Sequence, residues 1–179
     1  DYSTGLKDDP APAFSVYRAR GVLYARLDDA DNAIADYDRA FEVPEIDKSD
    51  KPMLYIFRGN AYAQKGEFAM AVSSYDEAIA SGDKGFVGWA YFVRGISHLL
   101  AGSLAEASAD FKKVANDDPT VAEYAIWADI ADRRSNAPSS LVEASANLDL
   151  AKWPGPIVRL FMGKSTPSEV LALADDPDP

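Results

Sequence analysis

The side chains best suited to gripping an anion are three arginines, Arg20, Arg58 and Arg94, each placed before a glycine in "YRARG", "YIFRG" and "YFVRG". A guanidinium row can hold carboxylates or phosphates through paired N–H donors. The chain also carries 29 acidic against 18 basic side chains, a net charge of −11. Each arginine is therefore expected to pair internally with a carboxylate such as Asp36, Asp76 or Asp110 on the following helix. His98 is the only histidine and occupies the slot held elsewhere by Tyr24 and Tyr62. Without co-ligands or a base and its orienting partner, it reads as a packing residue. "LDDADNAIADYD" (Leu27–Asp38) spaces carboxylates in a way that suggests calcium, but it lacks the loop glycine and the closing glutamate. There is no cysteine, so neither a disulfide nor a thiolate metal site can form. No phosphate-binding glycine loop, Ser/His/Asp order or nucleophile elbow is present. The expectation is a protein that is not an enzyme, with no catalytic residues, cofactor or metal.

The bulk composition narrows the partners. A strongly acidic chain is a poor match for nucleic acid or for an anionic membrane surface. Its 179 residues, 47% hydrophobic and 26% charged, suit one globular domain or a short solenoid. No apolar run reaches the roughly 20 residues that a membrane span needs. The first residue is Asp1, which reads as the start of a processed or engineered fragment, with any signal or lipid anchor upstream.

The three arginine strings belong to a longer repeat. Twelve residues after Gly21, Gly59 and Gly95 come Ala33, Ala71 and Ala107. Four residues later come Tyr37, Tyr75 and Phe111, and after three more Ala40, Ala78 and Val114. These offsets resemble the tetratricopeptide repeat (TPR), a helix-turn-helix of about 34 residues. The resemblance implies an all-α fold, a right-handed TPR superhelix (α-solenoid) of antiparallel helix pairs. Small residues on both helices would let the backbones approach while the aromatic rings fill the space beside them. Helices are expected at 13–27, 30–41, 52–65, 68–80, 87–101 and 104–114. They form three units, 13–44, 52–83 and 87–119, after a disordered or extended segment 1–12.

Beyond Pro119 the pattern decays. Residues 120–152 read as a degenerate fourth hairpin, with helices at 121–134 and 139–150. Residues 153–179 read as C-terminal capping helices and a frayed tail, with Thr166, Pro167 and Glu169 opening the last helix as a capping box. The stretch "WPGPIVRLFMGKSTPSEVLALA" (Trp153–Ala174) resembles the helix-turn-helix that follows the repeats in bacterial TPR lipoproteins of the NlpI type. The matching features are Trp153, Ile157-Val158, Phe161 and Gly163, and Glu169-Val170-Leu171. That family's lipidated N-terminal cysteine is not in this sequence, and the family continues into another helix pair. The resemblance implies a periplasmic or outer-membrane-anchored scaffold for proteases or cell-wall hydrolases; a cytoplasmic location is the alternative.

TPR positions that face the groove fall on Arg18 and Val22, on Met53, Ile56 and Asn60, and on Trp89, Phe92, Ile96, Leu99 and Leu100. The face grades from polar and basic to strongly apolar. Val22, Phe57, Trp89 and Val93 replace most residues of the clamp that holds chaperone tails in other TPRs, so that ligand is not expected. The function read from this face is non-catalytic protein–protein interaction, with a protein or peptide partner. The alternative is a self-associating structural module whose groove is filled by its own C-terminal helices, or a homodimer joined through the exposed unit ends.

Overall fold

Within residues 10–44 and 46–174, which the computed structural model describes, all regular structure is helical. The helices are α1 (Pro10–Arg26), α2 (Ala30–Phe41), α3 (Lys51–Gln64), α4 (Phe68–Ala80), α5 (Val87–Ala101), α6 (Leu104–Asp117) and α7 (Ala122–Arg134). They continue with α8 (Leu141–Ala144), a 3-10 turn (Ser145–Asn147), α9 (Gly155–Phe161) and α10 (Pro167–Ala174). The expectations for residues 1–9 and 175–179 lie outside the described residues. No described helix is long and apolar enough to cross a membrane.

One turn geometry is used five times. The Asp28 amide donates to the Ala25 carbonyl at 3.2 Å, and the Asp29 amide reaches the Tyr24 carbonyl at 2.9 Å. The outer bond of this pair recurs as Glu67 to Tyr62, Ser103 to His98, Ala137 to Asp132 and Lys164 to Arg159. Each turn pivots on a residue of positive φ: Asp28, Gly66, Gly102, Asn136 or Gly163. This doubly bonded ending satisfies carbonyls that the last helical turn leaves unpaired. It folds α1 onto α2 and α3 onto α4, and the same turn joins α5 to α6, α7 to α8 and α9 to α10. The α9/α10 pair, expected only as a cap, is thus built on the hairpin rule of the repeats.

Two compact units divide the chain, the first ending at Ser97 and the second beginning at His98. The first unit's core joins Phe14, Ile34, Tyr37 and Leu54 in one cluster and Ile56, Tyr75, Ala90 and Val93 in another. The repeat glycines lie under aromatic rings. A Cβ on Gly21 would stand 2.8 Å from Tyr37 Cδ1, and one on Gly59 would stand 2.8 Å from Tyr75 Cδ1. Glycine is required there because the ring from the second helix rests on the first helix's backbone. The expectation that glycine meets the small Ala33 or Ala71 is corrected accordingly, since those alanines are fully buried but the ring is the glycine's neighbour.

The second unit departs most from expectation. The helix expected at 139–150 is a single turn followed by the 3-10 turn. Its Ser145 hydroxyl donates to the Val142 carbonyl at 2.7 Å, and the Leu148 amide closes on Ser145 at 3.1 Å. Side-chain and short-range bonds therefore take the place of the helical ladder. Helix α9 begins at Gly155, with Pro156 in its first turn, where proline is tolerated. The capping box at Thr166 forms as expected, its amide donating to Glu169 Oε2 at 2.7 Å and its hydroxyl oxygen accepting from the Glu169 amide at 3.3 Å.

Gly59 and Gly66 separate two reasons for having no side chain. Gly59→Ala should raise helix propensity yet destabilise by about 1–3 kcal/mol through the Tyr75 ring. Gly66 has open space around it and φ +76, so Gly66→Ala should cost about 1–2 kcal/mol through the backbone alone. Urea unfolding of both, alone and with Tyr75→Leu, checks this: the Tyr75 change should relieve the cost at Gly59 and leave that at Gly66 unaltered.

Candidate functional site

In the first unit, α1 and α3 lie side by side. The Gln64 amide donates to the Ala25 carbonyl at 3.2 Å and also to the Asp28 carboxylate. Arg18 and Val22 project from α1 one helical turn apart, with Arg26 a further turn along. Among the described residues, neither Arg18 nor Arg26 forms an ion pair, although most arginines of the chain do. The Arg18 guanidinium lies 5.6 Å from the Phe14 ring centroid, which leaves its N–H edge available.

From α3, Met53 is half-buried, Ile56 is 2% exposed, and Asn60 is exposed. Ile56 therefore belongs to the core rather than to an open surface. Asn60 is oriented from below: the buried Tyr75 hydroxyl donates to Asn60 Oδ1 at 2.8 Å. With that oxygen engaged, the Asn60 NH₂ is the group offered outward. Tyr75 thus has two roles, resting its ring on Gly59 and aiming the neighbouring amide. Burial pushes the Tyr75 phenol far above its usual pKa, despite a bond with Ser97, so the hydroxyl remains a proton donor.

From α5, Trp89 is 50% exposed and its ring lies 5.7 Å from that of Phe92, which is half-buried, as is Ile96. Leu99 and Leu100 fall in the second unit, where Leu99 is buried and Leu100 is 61% exposed. Eight of the ten expected groove positions thus lie in the first unit, and seven of those eight retain some exposure.

The arginine row is structural: Arg20 pairs with Asp36 as expected, while Arg58 and Arg94 engage carboxylates of the preceding hairpin. Arg20 bonds Asp36 within its own hairpin, Nε to Oδ2 at 2.6 Å and Nη2 to Oδ1 at 2.7 Å. Arg58 instead reaches back to Asp38 of the preceding hairpin at 3.0 Å, touching Ser74 of its own at 3.3 Å. Arg94 also pairs with Asp76 of the preceding hairpin. The Arg58 guanidinium lies 4.8 Å from the Phe41 ring centroid and 5.5 Å from that of Tyr55, clamping consecutive hairpins. The sequence carries the signal, since Ser74 stands where the first unit has Asp36, leaving Arg58 no carboxylate at that place. The "LDDADNAIADYD" carboxylates are likewise divided among structural duties. Asp29 caps α2, Asp31 meets Lys65, Asp36 holds Arg20 and Arg39, and Asp38 holds Arg58. His98 Nε2 lies 3.9 Å from Asp110 Oδ2.

These helix pairs match known proteins. The sequence profile of the tetratricopeptide repeat matches residues 15–46 and 54–81, so the chain contains TPR repeats. No curated protein matches the chain. Among solved structures, the first TPR of Spaghetti (RPAP3) bound to an HSP90 peptide, SRMEEVD, aligns with TM-score 0.60 and 23% identity over 70% of this chain and 98% of its own. The second TPR domain of human RPAP3, in complex with an HSP70 peptide, aligns with TM-score 0.59 and 21% identity over 69% of this chain and 98% of its own. The type IV pilus biogenesis factor PilW aligns with TM-score 0.67 and 17% identity over 90% of this chain and 67% of its own. At these identities the likeness establishes the fold: an all-α chain of the α-solenoid class.

Acid should act through the arginine partners. Burial raises the Asp36 carboxyl, but bonds from Arg20 and Arg39 outweigh it and hold the group below its usual value. The ionised form is thus favoured by folding. Its contribution is complete above the unfolded value near 4 and is lost as pH falls through the lower folded value. Asp36→Asn should flatten the acid limb of stability between about pH 5 and 2, measured by urea unfolding at successive pH values.

Proposed function

We propose that the chain is a non-catalytic interaction scaffold whose first-unit face takes an extended segment of a partner protein. The observation carrying this reading is the run of outward groups on α1, α3 and α5. It comprises two arginines that form no ion pair among the described residues, an asparagine amide held with its donors outward, and a half-exposed Trp89 beside Phe92. None of the expected groove positions bears a carboxylate, although the chain is strongly acidic. The face therefore suits a segment with acidic side chains toward Arg18 and Arg26 and apolar side chains toward Trp89. The RPAP3 domains carry acidic peptides on the same fold, which supports a peptide partner while leaving its sequence open. The resemblance of residues 153–174 to NlpI-type lipoproteins supports a periplasmic setting, with proteases or cell-wall hydrolases as the proteins brought together.

Selection of displayed peptides against the full chain tests the proposal. Selected sequences should combine Asp or Glu with large apolar residues. Trp89→Ala should weaken them by roughly 2 kcal/mol, as loss of a central aromatic anchor does. Arg18→Glu should weaken acidic peptides more than neutral ones. Peptides that bind both variants as tightly as the parent would contradict the reading. Light scattering of Trp89→Glu separates it from self-association, which would appear as a dimer lost on substitution.

A further inference from the structure

The second unit contains a feature that the repeats do not explain. Asp132 on α7 is buried, and its carboxylate gathers three partners: Ser108 Oγ at 2.5 Å, Lys112 Nζ at 2.9 Å and Ser140 Oγ at 3.1 Å. Ser108 and Lys112 lie on α6, whereas Ser140 stands at the start of α8, so one carboxylate ties three helices together. Where the expected long helix gives way to α8 and the 3-10 turn, a cleft of about 440 Å³ opens between α6 and α8. That volume lies within the range of small-ligand pockets, about 300–1,000 Å³.

The cleft's chemistry is specific. Its floor is Ala125 and Ala128 of α7. One wall presents Lys112 and Asn116, a helical turn apart, and the other presents Glu143 and Asn147. Lys112 is held in place by Asp132 but remains part-exposed, with further N–H donors to offer. Among the described residues, the side chains of Asn116, Glu143 and Asn147 have no hydrogen-bond or ion-pair partner. No aromatic side chain lines the cleft, which leaves nothing for a planar base or ring to stack on. Two amides on opposite walls, with a cation and a carboxylate beside them, match a ligand that alternates N–H donors and C=O acceptors along a line. The alanine floor offers only methyl groups, too little apolar surface to favour burial of a large side chain.

We propose that this cleft is a second binding site, taking an extended peptide segment of a partner protein whose residues there are Gly, Ala, Ser or Thr. Asn116 and Asn147 bond its main chain from the two walls. The site is independent of the first-unit face, since none of its lining residues is a groove position.

The test uses the full chain, labelled with ¹⁵N and titrated with a pool of N-acetylated, C-amidated tetrapeptides built from Gly, Ala, Ser and Thr. The side-chain amide signals of Asn116 and Asn147 should shift saturably, and free alanine at equal concentration should leave them unmoved. The exposed double substitution Asn116→Leu/Asn147→Leu should weaken binding at least tenfold, read from neighbouring backbone amides. Ala144→Leu, which narrows the cleft from its wall, should do the same with the circular dichroism unchanged. Absence of saturable shifts would overturn the proposal, as would equal binding by the double variant or shifts produced by free alanine alone.

Discussion

Everything in the first unit depends on an aromatic ring lying against bare backbone. Tyr37 and Tyr75 are each 1% exposed, and each ring occupies the space that a Cβ on Gly21 or Gly59 would need. The contact sets how closely the two helices of a hairpin approach, because one atom more on the first helix would displace the whole ring. The cost of a helical glycine, about 1 kcal/mol, is offset by burying a large aromatic surface. Tertiary packing, not propensity, decides the residue.

That close approach also connects core to surface. Tyr75 reaches across its hairpin and bonds Asn60, the residue beside Gly59, so a buried phenol determines which atoms Asn60 shows to solvent. Arg58 acts at the next level, between hairpins. It bonds Asp38 behind it and Ser74 ahead, and its flat guanidinium covers the facing Phe41 and Tyr55 rings. Positions that a sequence scan would reserve for anion binding are thereby consumed in setting repeat-to-repeat register, while Arg18 and Arg26, which form no ion pair among the described residues, stay on the face. A large, buried network below thus holds a small set of outward groups, the arrangement that recognition requires.

How much of this could be read in advance differed by element. Helix bounds of α2, α4 and α5 agree with expectation to the residue, because Gly, Asp and Ser at the turns and the recurrent Ala–aromatic offsets specify them locally. The turn at Asn136 and the shortened α8 were not legible. Asn136 carries the positive φ that Gly66 and Gly102 carry elsewhere, and the Ser145 hydroxyl competes with the helical ladder. The reach of Arg58 to Asp38 was hidden because it joins two repeats, and self-comparison aligns positions without saying which unit they touch. The Asp132 node was hidden for the same reason, its partners lying 24, 20 and 8 residues away in sequence. The face on α1, α3 and α5 was legible as a list of positions. Whether each was core or surface, as Ile56 against Trp89 shows, depended on packing.

The central claim, that tyrosine rings sit on the repeat glycines and fix the hairpins, is tested most directly by proton NMR of the folded chain. Strong nuclear Overhauser cross-peaks should join the Hα protons of Gly59 to the ring protons of Tyr75, and those of Gly21 to Tyr37. Absence of those cross-peaks, with the rings instead close to the methyls of Ala71 and Ala33 alone, would contradict the account.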